Sequence, residues 1–270
     1  MELPGKASSV RGEEPAHEPS ETEPTYIELQ ATLGVSKHMG GIEATEELIE
    51  LCHIDEGECV LDVGCGIGTT ASYLAQKHSC EVVAVDISEQ MIDTARETAK
   101  NKNTEKKIDL IIADAQHLPL RSNLFDSVII ESVNSFIKDK ENALNEYIRV
   151  TKPEGYVGIN EALWIKTPTP EIAEYSGNLG TEIISLEEWE ELIGNSKLRE
   201  TVIKTYEVDP LKELIDRINL IGPRKILKAW GKLIPLYIKN PTIRNEFKRE
   251  LSMPRDSLEY MGYAICAGKK

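Results

Sequence analysis

Short apolar runs alternate with longer amphipathic stretches between residues 42 and 164. Runs such as Ser127-Val128-Ile129-Ile130 are continuous rather than alternating, which is typical of strands buried on both faces of a parallel sheet. The pattern predicts strands at 59–64, 81–87, 108–113, 125–131 and 156–161, and helices at 43–52, 68–78, 88–101 and 139–151. Strands that alternate with helices indicate an α/β fold with a doubly wound, mostly parallel sheet.

The last third of the chain has a different pattern. A loop containing Pro168 and Pro170 is predicted after residue 164, and a helix near 185–195 follows it. Ser185 is its predicted N-cap, with Glu188 as the capping-box partner three residues later. Strands are then predicted at 198–208 and 260–267. The stretch between them has helical periodicity at 210–221, 223–238 and 241–251.

These patterns divide the chain into four parts. Residues 1–25 are rich in Pro and Glu and cannot bury enough apolar surface to fold alone, so we expect a disordered acidic tail. The alternative is a segment that orders over the active site when ligand binds. Residues 26–209 are the predicted core, 210–256 a helical cap or lid, and 257–270 the last strand of the core.

Composition narrows the class of partner. A net charge of −15 argues against non-specific nucleic-acid binding, which needs a basic surface. The five cysteines lack C-x-x-C spacing, so neither a disulfide framework nor a metal site is expected. The sequence contains no signal-peptide pattern and no integral membrane segment, and these observations predict a cytoplasmic protein.

The clearest chemical signal is a glycine-rich turn after the first strand. Gly64, Gly66 and Gly68 follow Asp62 at alternate positions, and a second apolar run ends in Asp86, 22 residues after Gly64. Glycines allow a tight turn and the close approach of a ligand to backbone N–H groups. A carboxylate at position 86 can accept both hydroxyls of a ribose. The dinucleotide fingerprint would need a glycine where Thr69 stands.

This arrangement resembles motif I of the class I S-adenosylmethionine-dependent methyltransferases. The resemblance covers roughly residues 36–164 and the final strand, and it implies S-adenosyl-L-methionine as the cofactor. It also implies a seven-stranded sheet in which the last two strands form an antiparallel hairpin. The helical stretch 210–256 would then be an insertion between those two strands.

The resemblance carries functional residues with it. Asp62 matches the acid that orients the glycine loop and helps to hold the amino-acid end of the cofactor, and Asp86 matches the ribose-binding acid. The residues that match the loop under the methionine moiety are Gly64, Cys65, Gly66 and Gly68. Those that match adenine contacts are Ile87, Met91, Asp114, Ala115 and Gln116, although Met91 fits core packing equally well. Glu131 follows the fourth strand, where the family flanks the methyl group and the acceptor.

A second resemblance is local. The segment Lys37 to Thr45 is similar to the glycine-pair segment that precedes motif I in quinone-methyltransferase-like proteins. It implies that Gly40 and Gly41 approach the methionine end of the cofactor. His38, in the same segment, is a candidate general base, because imidazole exchanges protons near neutral pH. The simpler interpretation of His38 is a solvated loop histidine.

The predicted activity is methyl transfer to a small or lipophilic organic acceptor. A sulfonium methyl is already activated, so catalysis needs mainly in-line positioning, and a base only where the acceptor must lose a proton. Glu131, His38 and Glu161 are the candidate bases. Carbon methylation of a quinone-type ring is the first expectation, followed by N- or O-methylation of another metabolite and by methylation of a protein side chain. A non-catalytic cofactor-binding or scaffold protein and a dehydrogenase are the alternatives from other classes.

The stretch 210–256 suggests how an acceptor is selected. It carries eleven basic and five acidic residues, and apolar residues repeat in it at helical spacing. The simplest interpretation is a cap packed on the core with its basic face in solvent. Two further interpretations are a lid that shapes the acceptor pocket and a surface for peripheral contact with anionic lipid.

Overall fold

The computed structural model describes residues 38–208 and 256–270, together with the isolated positions 231, 237–238, 241, 244, 248 and 252–254. The predicted tail over 1–25 and nearly all of the predicted cap over 210–256 lie outside the described residues. Both therefore remain predictions. No helix in the described part of the chain is long and apolar enough to cross a membrane.

A single mixed sheet forms the centre of the molecule. Its strands are β1 (Cys59–Val63), β2 (Glu81–Asp86), β3 (Ile108–Ile112), β4 (Phe125–Glu131), β5 (Thr151–Trp164), β6 (Ile184–Ser185), β7 (Arg199–Glu207) and β8 (Met261–Lys269). Their order is β3-β2-β1-β4-β5-β8-β7, and β6 pairs with β5. Strands β1 to β5 are parallel to one another, whereas β8 is antiparallel to β5 and β7. The predicted doubly wound fold with a terminal hairpin is confirmed, with the two-residue β6 added to the seven expected strands.

Six α-helices between residues 41 and 194 connect and cover these strands. They are α1 (Gly41–Leu51), α2 (Thr69–Lys77), α3 (Glu89–Lys102), α4 (Lys140–Val150), α5 (Pro170–Asn178) and α6 (Leu186–Gly194). The capping box of Ser185 and Glu188 at the start of α6 is confirmed. The prediction of a loop at Pro170 was wrong, because helix α5 begins at that residue. Thr169 caps it by accepting a hydrogen bond from the Ile172 N–H, and proline is well suited to the first helical position.

The two faces of the sheet bury separate apolar clusters. Helices α1, α2 and α3 cover one face, which we call the α1 face, through residues such as Leu48, Leu74 and Ala95. Helices α4 and α6 cover the other, the α4 face, through residues such as Leu144 and Ile193. Since successive strand residues point to opposite faces, the sheet register assigns each polar residue to one of them.

The carboxyl ends of β1 to β5 meet at one edge of the sheet, because these strands are parallel. Ligands bind at that edge in open α/β sheets. Asp62, Asp86, Glu131 and Glu161 lie in the last residues of β1, β2 and β4 and in the second half of β5. The fold thus brings acids from four strands to the same edge.

Candidate active site

The turn after β1 depends on all three of its alternate glycines. Gly64, Gly66 and Gly68 have φ angles of 69°, 52° and 75°, in the left-handed region that favours glycine. A Cβ on Gly64 would collide with Val133, and one on Gly68 would come within 2.9 Å of Ala95 Cβ, but one on Gly66 would meet open space. Gly64 and Gly68 therefore serve backbone geometry and close packing, while Gly66 faces the side where a ligand can approach.

Asp86 ties this turn to the end of β2. Its Oδ2 accepts a hydrogen bond from the Gly66 N–H at 2.9 Å, and its Oδ1 accepts one from the Ser88 N–H at 2.9 Å. Burial raises the pKa of the Asp86 carboxyl, and these N–H donors partly offset that rise. The carboxylate thus lies beside the glycine turn, which is where the predicted ribose contact requires it. The contact itself remains a prediction.

Asp62 offers a test of whether the cofactor fits this site. The residue is 2% exposed, and its Oδ2 has no hydrogen-bond partner among the residues that the structure describes. Burial, Glu131 and Asp86 raise the pKa of Asp62 well above its usual range. A buried acceptor of this kind requires a donor, and preferably a cationic one. The α-ammonium group of S-adenosylmethionine has the complementary charge and donors.

The predicted adenine contacts divide into two groups. Asp114 Oδ1 accepts a hydrogen bond from the Gln116 N–H at 2.8 Å, which folds the segment containing Ala115 into a tight turn. Ile87 is 65% exposed and therefore free to contact a ligand. Met91 is buried in the first turn of α3, which fits core packing and a cofactor contact equally well, so its adenine contact remains a prediction.

Cys65 contributes its backbone to the turn. The Cys65 N–H donates to the Val85 carbonyl at 2.9 Å, and its side chain is buried in the apolar cluster on the α1 face. Burial raises the pKa of the Cys65 thiol well above its usual range. The thiol therefore acts as a small apolar filler.

Glu131 is the centre of a buried polar network on the α1 face. Its Oε1 accepts a hydrogen bond from Thr45 Oγ1 at 2.9 Å, and its Oε2 accepts one from Thr70 Oγ1 at 2.7 Å. Asn160 Nδ2 lies 3.5 Å from Oε1, and His38 Nδ1 lies 3.7 Å from the same oxygen. The structure thus brings two of the three predicted bases, Glu131 and His38, together.

The His38 side chain is only 8% exposed, which contradicts the interpretation of His38 as a solvated loop histidine. Its Nδ1 is buried and has no hydrogen-bond partner among the described residues. The next residues fit closely against the sheet, because a Cβ on Gly40 would lie 2.6 Å from the Tyr263 hydroxyl. Gly40 and Gly41 both have positive φ, which lets the chain turn from this segment into α1.

Glu161 lies on the other side of the sheet. It follows Asn160, the register partner of Glu131, and therefore points to the α4 face. Its Oε2 accepts a hydrogen bond from the Asn134 N–H at 2.6 Å, and its Oε1 accepts one from Ser135 Oγ at 2.5 Å. Burial raises the pKa of Glu161, and these donors oppose the rise. Its contacts favour a role in holding the turn after β4.

Three polar neighbours of Glu131 were not predicted from the sequence: Thr45, Thr70 and Asn160. Asn160 was detectable, since it is a polar residue directly after the apolar run Tyr156 to Ile159 in the predicted strand. The two threonines carried no such signal, because threonine is common in both helices and strands. Their role depends on which helix packs beside Glu131.

Comparison with known proteins identifies methyltransferase relatives. Residues 61–159 match a family model described as a methyltransferase domain. An uncharacterized methyltransferase, YodH, of Bacillus subtilis is 31% identical over 222 residues, which cover 78% of this chain and 93% of that protein. Phosphoethanolamine N-methyltransferase 1 of Arabidopsis thaliana is 28% identical over 184 residues, which cover 67% of this chain. The aligned part spans 37% of the plant protein's length.

Solved structures show the same fold at low identity. Phosphoethanolamine N-methyltransferase 2 of Haemonchus contortus, in complex with phosphomonomethylethanolamine and S-adenosylhomocysteine, aligns with a TM-score of 0.71 and 19% identity. The alignment covers 92% of this chain and 57% of that one. A methyltransferase of Geobacter sulfurreducens in complex with S-adenosylhomocysteine aligns with a TM-score of 0.63 and 18% identity, covering 88% and 96%.

Proposed function

We propose an acceptor class and a catalytic base for this chain, which belongs to the class I S-adenosylmethionine-dependent methyltransferase family. It is an enzyme that uses S-adenosyl-L-methionine and releases S-adenosylhomocysteine. The acceptor is a small organic molecule whose nucleophilic atom must lose a proton during the reaction. His38 is the general base, and Glu131 is its acidic partner.

The close approach of His38 and Glu131 carries this proposal. Nδ1 of the imidazole lies 3.7 Å from the Glu131 carboxylate, which leaves Nε2 as the nitrogen that takes the acceptor's proton. The negative charge of Glu131 stabilises the imidazolium that results. When bound, S-adenosylmethionine supplies an activated methyl group. A base of this kind typically contributes a factor of about 10²–10⁴ to the rate.

Two acceptor classes are compatible with such a base. An amine must be deprotonated before its lone pair can attack, and a phenolic ring must be ionised before it is methylated at carbon. The Glu131 carboxylate beside the proposed base favours an acceptor that is cationic before it loses its proton, and the plant relatives are named as N-methyltransferases of phosphoethanolamine. We therefore place an amine first and a lipophilic ring, the first expectation from the sequence, second.

The test is a comparison of His38→Gln with the wild type. Acceptors are first screened with ethanolamine, phosphoethanolamine and a hydroquinone, with S-adenosylhomocysteine release as the readout. We expect His38→Gln to lower kcat by about 100-fold or more on the best acceptor, with the Kd for S-adenosylhomocysteine unchanged.

The matched control is His53→Gln, because His53 follows α1 at its opposite end and packs on Tyr156. We expect that variant to keep its kcat. If His38→Gln had the same kcat as the wild type, His38 would not be the general base. If the enzyme preferred the hydroquinone, the lipophilic ring would become the first acceptor class and the amine the second. That result would not change the proposed role of His38.

A further inference from the structure

Both main-chain groups of one residue hold the segment that carries His38. The Met39 N–H donates to Ser132 Oγ at 3.3 Å, and the Met39 carbonyl accepts from Asn160 Nδ2 at 2.8 Å. Ser132 follows β4 and Asn160 lies in β5, so the two bonds come from adjacent strands. Met39 is thus held from both sides across the carboxyl edge of the sheet, next to His38 in the chain.

Ser132 and Asn160 are joined by a main-chain hydrogen bond. The Ser132 N–H donates to the Asn160 backbone carbonyl at 2.7 Å. Ser132 has a φ of 56°, which costs energy in a residue other than glycine, so the surrounding structure must maintain it. Non-glycine residues held in this region cluster at functional sites. The strained backbone directs the Ser132 hydroxyl towards Met39.

The orientation of the Asn160 amide is determined by its neighbours. Its Nδ2 faces two oxygens, the Met39 carbonyl at 2.8 Å and Glu131 Oε1 at 3.5 Å. A reversed amide would place its oxygen against both of these acceptors, which is unfavourable. The same side chain therefore contacts the His38 segment and the acid that faces His38.

We infer that Ser132 and Asn160 are positioning residues that hold Met39 so that His38 lies over Glu131. This inference rests on the proposed function of His38 as the base. Neither residue needs to contact the acceptor, because Ser132 acts through the main chain of Met39, and Asn160 acts through Met39 and Glu131. Small displacements of a catalytic group are costly to rate, so loss of either hydrogen bond should lower kcat.

The experiment is a double-mutant cycle of Ser132→Ala with His38→Gln. Ser132→Ala alone should lower kcat about three- to tenfold, the amount expected from one hydrogen bond, with the Kd for S-adenosylhomocysteine unchanged. In the His38→Gln background it should cause no further loss, because the residue that it positions is already gone. Ser132→Gly, which removes the hydroxyl but tolerates the positive φ, should match Ser132→Ala.

The matched control is Ser79→Ala. Ser79 has the same φ of 56° and lies between α2 and β2, at the opposite edge of the sheet. It should leave kcat unchanged. A second double-mutant cycle combines Asn160→Ala with His38→Gln. Asn160→Ala should lower kcat as Ser132→Ala does, and it should cause no further loss in the His38→Gln background.

A spectroscopic readout separates the two proposals. The NMR signals of the His38 imidazole should move in Ser132→Ala and stay in place in Ser79→Ala. Equal losses of kcat in both backgrounds, or unchanged His38 signals, would overturn the positioning role. If the His38 signals move in Ser132→Ala but His38→Gln keeps full activity, His38 is not the base. The conclusion that Ser132 positions His38 would then still hold.

Discussion

Asp62→Asn should change stability and cofactor affinity in opposite directions. In the cofactor-free protein, burial, Glu131 and Asp86 raise the pKa of Asp62, and only the Ala71 N–H opposes them. The folded state therefore binds this proton more tightly than the unfolded state does. The stability from this group is present below about pH 4, the pKa of an unperturbed Asp, and is lost as the pH rises through the raised pKa.

The magnitude follows from the cost of a charge at this buried position. A rise of one unit in the folded-state pKa corresponds to about 1.4 kcal/mol, and an amide avoids this cost because it carries no charge, although it leaves a polar atom unpaired as the carboxyl does. Asp62→Asn should therefore stabilise the cofactor-free protein near neutral pH by about 1–3 kcal/mol. Each 1 kcal/mol corresponds to a rise in Tm of about 2–4 °C for a domain of this size.

The same substitution should weaken the binding of S-adenosylhomocysteine. A hydrogen bond between charged groups contributes about 1.5–3 kcal/mol, so we expect the Kd to rise by about 10- to 150-fold. Wild-type affinity should also increase with pH, by up to about tenfold per unit while Asp62 is still protonated. This dependence should disappear in Asp62→Asn. Calorimetric titration over a pH series and thermal melts without ligand provide both measurements.

Asp126→Asn is the matched control. Burial raises the pKa of Asp126, but hydrogen bonds from Lys152 and the Cys59 N–H outweigh this effect and hold it below its usual range. The charged form is therefore favoured in the folded state, and its stabilisation is lost as the pH falls. Asp126→Asn should lower the Tm and leave the Kd unchanged. A lower Tm for Asp62→Asn, or an unchanged Kd, would refute the reasoning.

Two further predictions concern local structure. Gly64→Ala should destabilise the protein by more than about 2 kcal/mol, because the new Cβ collides with Val133 and φ is positive. Gly66→Ala has the positive φ without a collision, so it should cost only about 1–2 kcal/mol. Equal midpoints of urea unfolding for the two variants would contradict this. Ser185→Ala should lose the capping box with Glu188 at a cost of about 1 kcal/mol. The same urea series tests it, and an unchanged midpoint would show that α6 does not depend on its cap.

The glycine turn illustrates what could be predicted. Asp62, Gly64 and Asp86 are recognisable because the chemistry of a tight, ligand-facing turn restricts the residue types at fixed spacing along the chain. The central strands β1, β2 and β4 were recognisable for a similar reason, since both faces of the sheet are covered there and most of their residues must be apolar. Helix α5 was missed because Thr169 and Pro170 suit a helix start and a loop equally well, and only packing decides between them.

The sequence by itself determined the parallel α/β order, the glycine turn and the family to which the chain belongs, because each depends on local residue chemistry. Only the tertiary structure decided that Glu131 faces His38 and that Glu161 does not. Thr45, Thr70 and Asn160 lie 86, 61 and 29 positions from Glu131 in the chain and meet it on the α1 face. Such a network forms where two helices and two strands converge, and periodicity along one element contains no information about the others.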